Sequence, residues 1–128
     1  MKRGSVAAAF AIGLCLATAG VSAHHSFAAD FDITKPVTLT GRVSKIEWLN
    51  PHVHIYIDVK DGTTWSIELG SPNGLRERGW TTKSLAIGDM ITVVGSRAKD
   101  GSHLANASSI VLPSGRRLAT GSGQGKTS

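Results

Sequence analysis

Apolar and polar side chains alternate without interruption from His52 to Lys60. Val53, Ile55, Ile57 and Val59 fall on one side, and His52, His54, Tyr56 and Asp58 on the other. A period of two sends successive side chains to opposite faces of a strand, so this stretch predicts a β-strand with one face in a core and one in water. Asp61-Gly62 follows, a pair favoured in two-residue hairpins because both positions there require positive φ. Thr63 to Leu69 returns with Trp65, Ile67 and Leu69 on one side. Upstream, Val37 to Trp48 alternates through Val37, Leu39, Gly41 and Val43, then slips one place to Ile46 and Trp48. That slip predicts a bulge in a long, coiled strand, with Gly41 as a bend. Asn50-Pro51 ends the run.

Ser71-Pro72 has the form of a helix cap followed by proline at the first helical position, and Gly79 suits the residue just past the end. The stretch between them allows about two helical turns. Gly88-Asp89 leads into a strand from Met90 to Arg97, Lys99-Asp100-Gly101 into one from Leu104 to Leu112, and Pro113-Ser114-Gly115 into a short return at Arg116 to Leu118. Three strands, a short helix and two more strands is the order of a small OB-like five-stranded barrel, mainly β, with the helix between strands three and four. The expected organisation is a lead-in over 24–36, a β domain over 37–118 and a disordered tail over 119–128.

The first 23 residues follow a different pattern. Lys2 and Arg3 precede an almost unbroken apolar run from Val6 to Ala19, and Val21-Ser22-Ala23 offers small residues at the positions a signal peptidase reads. This is the three-part form of a secretory signal peptide, and the run is shorter than the roughly 20 residues that span a bilayer. Cleavage after Ala23 is expected, with periplasmic or secreted localisation and no stable membrane span after processing. Removing 23 of 128 residues leaves 105, a common size for one domain. The sole cysteine, Cys15, leaves with the signal, so the mature fold must hold by packing. Lys2 and Arg3 leave too, so 12 of the 14 basic residues remain against 9 acidic ones, a net +3 rather than +5. These charges are scattered; a nucleic-acid partner would want a concentrated basic stripe, and none is expected.

Candidate chemistry is concentrated in histidine. After cleavage the chain begins His24-His25, and an N-terminal histidine presents its α-amino and ring nitrogens to one metal ion. The α-amine ordinarily titrates near 8 and imidazole near 6.5, so both are available to a competing metal around neutral pH. Nitrogen donors of this kind favour Cu(II). A histidine in mature position two, as His25 would be, can bind Cu(II) through the amine, the intervening amide and its ring. His52 and His54, two apart on a strand, share a face and are further candidates. His103 falls in a polar turn and is expected to be an ordinary surface residue. No phosphate-cradling glycine loop, Gly-x-Ser-x-Gly elbow or His-Glu-x-x-His motif occurs.

The segments His24-His25-Ser26-Phe27, Val37-Thr38-Leu39-Thr40-Gly41, Glu47-Trp48-Leu49-Asn50-Pro51-His52, Glu68-Leu69-Gly70-Ser71-Pro72, Arg78-Gly79-Trp80 and Arg97-Ala98-Lys99-Asp100-Gly101-Ser102 give the mature chain its resemblance to a family of small secreted bacterial proteins, domain-of-unknown-function family 6152. The resemblance implies a periplasmic protein whose signature includes the histidine terminus and the Asn-Pro-His turn, but not His54 or His103. It carries no activity with it. The function expected from the residues is a non-enzymatic periplasmic metal-binding protein, with copper as cofactor and His24, His25, His52 and His54 as its ligands. The alternative is a metal-free binding module for a peptide, glycan or envelope protein, using Trp48, Trp65 or Trp80. An oxidative copper enzyme is a poorer third, because 105 residues leave little surface for an extended substrate.

Overall fold

The computed structural model describes residues 27–122. A helical turn over 27–30 leads into six strands: β1 (Phe31–Glu47), β2 (His54–Val59), β3 (Thr64–Glu68), β4 (Met90–Ala98), β5 (Leu104–Val111) and β6 (Arg117–Ala119). They form one sheet in the order β3-β2-β1-β4-β5-β6, and a parallel pairing of β3 with β5 joins its two halves. Strands β1, β2, β3, β5 and β4 thereby form a closed ring of hydrogen bonds, and β6 is added on the outside of β5. The fold is mainly β and OB-like, as the turn signals predicted.

The ring closes because β1 serves two neighbours. Its first part pairs with β4, from Phe31 opposite Ala98 to Arg42 opposite Met90, and its last part with β2, from Gly41 opposite Val59 to Glu47 opposite His54. Gly41 lies in the overlap. A Cβ there would stand 2.7 Å from the Asp58 carbonyl oxygen, so the crossover needs glycine. The slip in the alternation is a true irregularity, since the β1–β2 register shifts between Val43 and Lys45. The predicted inward residues are the core: Val53, Ile55, Ile57, Ile67 and Leu69 are all at most 1% exposed. Between β3 and β4 lies the short helix Pro72–Glu77, capped by Ser71, whose hydroxyl accepts from the Gly74 N–H at 3.1 Å. Gly79, at φ +91°, ends it in the left-handed region.

Both expected domain boundaries move outward. β1 begins at Phe31, inside the segment read as a lead-in, because Phe31 and Asp32 pair with Ala98 and Arg97. At the other end, Ala119 belongs to β6 and Thr120 is fully buried. The Gly70 N–H donates to the Thr120 carbonyl and the Trp80 indole N–H to the Ala119 carbonyl, each at 2.8 Å. These bonds reach backbone carbonyls, so a segment without apolar side chains is held in place although its composition reads as a tail. Among the described residues, no helix is long and apolar enough to cross a membrane.

Candidate functional site

The hairpin of β2 and β3 builds the candidate site. Val53 is pinned by two backbone bonds, its N–H to the Gly70 carbonyl and its carbonyl to the Leu69 N–H, at 2.9 and 2.8 Å. With Val53 wholly buried, His52 and His54 on either side project outward. The hairpin register sets Asp58 opposite Thr64 and therefore His54 opposite Glu68. The Glu68 carboxylate lies between the two imidazoles: one oxygen is 3.8 Å from His52 Nδ1 and the other 3.7 Å from His54 Nε2. The two rings are 40% and 32% exposed, so they sit at a surface and can turn.

Neighbouring strands extend the row. Glu68 pairs with Asn106 of β5, which is 1% exposed, and the Asn106 amide donates to Glu68 Oε1 at 3.4 Å. On the other flank His54 lies opposite Glu47 of β1. Lys45 Nζ stands 2.6 Å from Glu47 Oε1; hydrogen bonding from Lys45 holds the Glu47 carboxyl below the usual carboxylate range, with the charge of His54 a smaller contribution. Glu47, His54, Glu68 and Asn106 thus run across four strands on the outer face. The Trp48 indole N–H, in the turn just before His52, is shielded from solvent and meets no acceptor among the described residues.

His52 and His54 come together as the alternation required. His24 and His25 lie outside the described residues. His103 goes elsewhere: its ring packs on Trp65, with centroids 4.9 Å apart. Of the tryptophans weighed as binding surface, Trp65 and Trp80 are 6% and 2% exposed and belong to the core, which removes two of the three anchors of that reading. Glu47 and Glu68 read in the sequence only as strand carboxylates with no assigned partner, and Asn106 carries no sequence signal at all. The signal for Glu68 was present, since the hairpin at Asp61-Gly62 dictates its position opposite His54.

Donors at about 2.0–2.2 Å from one ion stand roughly 3 Å apart, closer than the 3.7–3.8 Å between these imidazoles and Glu68. Among the described residues, no group of three or more His, Cys, Asp or Glu side chains is arranged to hold a metal ion. The cluster offers two imidazole nitrogens and a shared carboxylate at the surface.

The sequence profile of a family of unknown function, DUF6152, matches residues 12–107. The chain belongs to that family. No curated protein matches it. Among solved structures it is similar to two of TiaS. One is a complex of TiaS with a transfer RNA and ATP, at 25% identity and TM-score 0.48, covering 63% of this chain and 18% of that one. The other is the ZRD-deleted mutant with agmatine, at 23% and 0.49, covering 63% and 22%. The chain therefore spans about a fifth of the length of those proteins.

Proposed function

We propose that this is an exported, non-enzymatic metal-binding protein of the cell envelope, and that its metal is Cu(II). The carrying observation is the placement of His52 and His54 on one outward face with the Glu68 carboxylate between them. The N-terminal amine and ring of His24, with His25, would supply the main donors after cleavage behind Ala23, and the strand imidazoles, which are not preformed as a metal set, are candidates for further ones. The amine–imidazole chelate is the stronger part, because its two donors are linked in one residue. The strand cluster would fill the remaining positions.

The test is competition titration of Cu(II) into the mature, tag-free protein, with the copper resonance spectrum reporting the number of nitrogens. Nitrogen-rich coordination and one equivalent of copper are expected. His52→Ala, His54→Ala and Glu68→Gln combined should weaken binding by about tenfold, or 1.4 kcal/mol. His103→Ala, packed on Trp65, should leave it unchanged. Absence of Cu(II) binding by the mature protein would overturn the proposal.

A further inference from the structure

A second site lies away from the histidines. Toward the opposite end of β2, residues of β2, β1 and β4 border a hollow of about 480 Å³. Its lining comprises Gly41, Val59, Met90, Arg42, Asp58 and Lys60, together with Thr40, and its walls are mostly carbon. That volume falls within the roughly 300–1,000 Å³ typical of small-molecule sites.

Two features say what would fill it. The first is apolar surface left in water. Met90, in the lining, is 45% exposed. A thioether adapts to varied apolar shapes, so Met90 suits a contact that must mould itself to a ligand. The second is charge. Arg42 and Lys60 stand against a single carboxylate, Asp58, whose Oδ1 already accepts from the Thr64 hydroxyl at 2.7 Å. The Arg42 guanidinium is steadied by donating from Nη1 to the Gly88 carbonyl at 2.7 Å. Of the five N–H groups a guanidinium carries, a planar pair is still available to an anion such as carboxylate or sulfonate.

We propose that this hollow binds a small soluble amphiphile, an apolar body carrying one anionic group. The body covers Val59 and Met90, and the anion sits between Arg42 and Lys60. This site does not depend on the metal-binding reading, since none of its residues belongs to the histidine cluster.

Two fluorescent probes of nearly the same shape test it on the mature chain. 8-Anilinonaphthalene-1-sulfonate carries the anionic group, and N-phenyl-1-naphthylamine lacks it. The sulfonate should bind at one site, more tightly than the neutral dye, and be displaced by decanoate. In Arg42→Gln/Lys60→Gln its affinity should fall about tenfold, as expected for removing two partly exposed charge contacts, while the neutral dye changes little. Met90→Glu should weaken both. Because Arg42 also braces the Gly88 loop, Lys60→Gln alone is read beside the double variant, and should give part of the same loss at an unchanged melting temperature. Equal binding of the two dyes, or sulfonate binding indifferent to Lys60 and Arg42, would overturn the proposal. So would sedimentation of the protein with phosphatidylglycerol vesicles that disappears in the same variants, which would assign the face to a membrane.

Discussion

Gly95→Ala isolates how tightly the ring is closed next to the candidate site. Gly95 lies in β4 where the pairing with β5 shifts register, between Val94 and Gly95. A Cβ on it would overlap the Asn106 carbonyl oxygen outright and stand 2.8 Å from the carbonyl carbon and 2.9 Å from the Ala107 Cα. All three atoms are backbone of β5, so no side chain can swing aside, and β5 would have to retreat by about 1 Å in a close-packed interior. Overpacking alone costs about 1–3 kcal/mol, and weakening a ladder bond or two adds about 1 kcal/mol each. The sum is about 2–5 kcal/mol, a large share of the roughly 5–15 kcal/mol that holds a domain of this size. The melting temperature should drop by about 8 °C or more. The displaced residue is Asn106, whose amide reaches Glu68 between the two histidines, so the same substitution should also weaken the site. Urea unfolding followed by circular dichroism measures the cost, with Gly88→Ala as a comparison. Gly88 has φ +94° and nothing near its missing Cβ, so alanine there costs only the left-handed strain of about 1–2 kcal/mol. A Gly95→Ala protein as stable as wild type, or more stable than Gly88→Ala, would refute the argument.

Truncation after Leu118 removes the partners of the Gly70 N–H and the Trp80 indole, and the Thr120 hydroxyl that donates to the Ala107 carbonyl. With the Thr120 N–H to the Ser108 carbonyl and the Ser122 hydroxyl to the Ala107 carbonyl, five bonds are lost, and at about 1 kcal/mol each they predict a loss of about 5 kcal/mol, measurable as a lower urea midpoint. Acid stability should depend on the turn between β2 and β3. The Thr63 hydroxyl, and after it the Thr63 backbone N–H, hold the Asp61 carboxyl below the usual range. A carboxylate depressed in the folded state stabilises above its unfolded pKa of about 4, and that contribution is lost as pH falls through the lower folded value. Thr63→Val should therefore lower the urea midpoint at neutral pH and converge with wild type in strong acid; a difference that grows on acidification would contradict this.

The strands were legible because a half-buried strand writes its two faces directly into the sequence, and His52 to Lys60 does so without exception. The helix was legible through Ser71, Pro72 and Gly79, each matched to a backbone requirement. The segment after Leu118 was not, since Ala119 and Thr120 are held through main-chain groups and a small hydroxyl that no hydropathy pattern reveals. At the site, the shared face of His52 and His54 followed from spacing. Glu68 needed the hairpin register, and Asn106 needed the parallel closure of β3 on β5, a non-local pairing that local pattern does not encode. The burial of Trp65 and Trp80 separates aromatic content from aromatic surface. Trp65 could have been assigned inward from its alternation with Ile67 and Leu69.

The claim that copper is bound through the processed terminus rests on a free α-amine, and one comparison addresses it. Adding Ala-Ala before His24 keeps every side chain and the net charge while separating the amine from the His24 ring. Competition titration of Cu(II) into the native-terminus and extended proteins, both free of tags, should show the extension weaker by at least about 3 kcal/mol, roughly a hundredfold. Equal affinity in the two proteins would contradict the account.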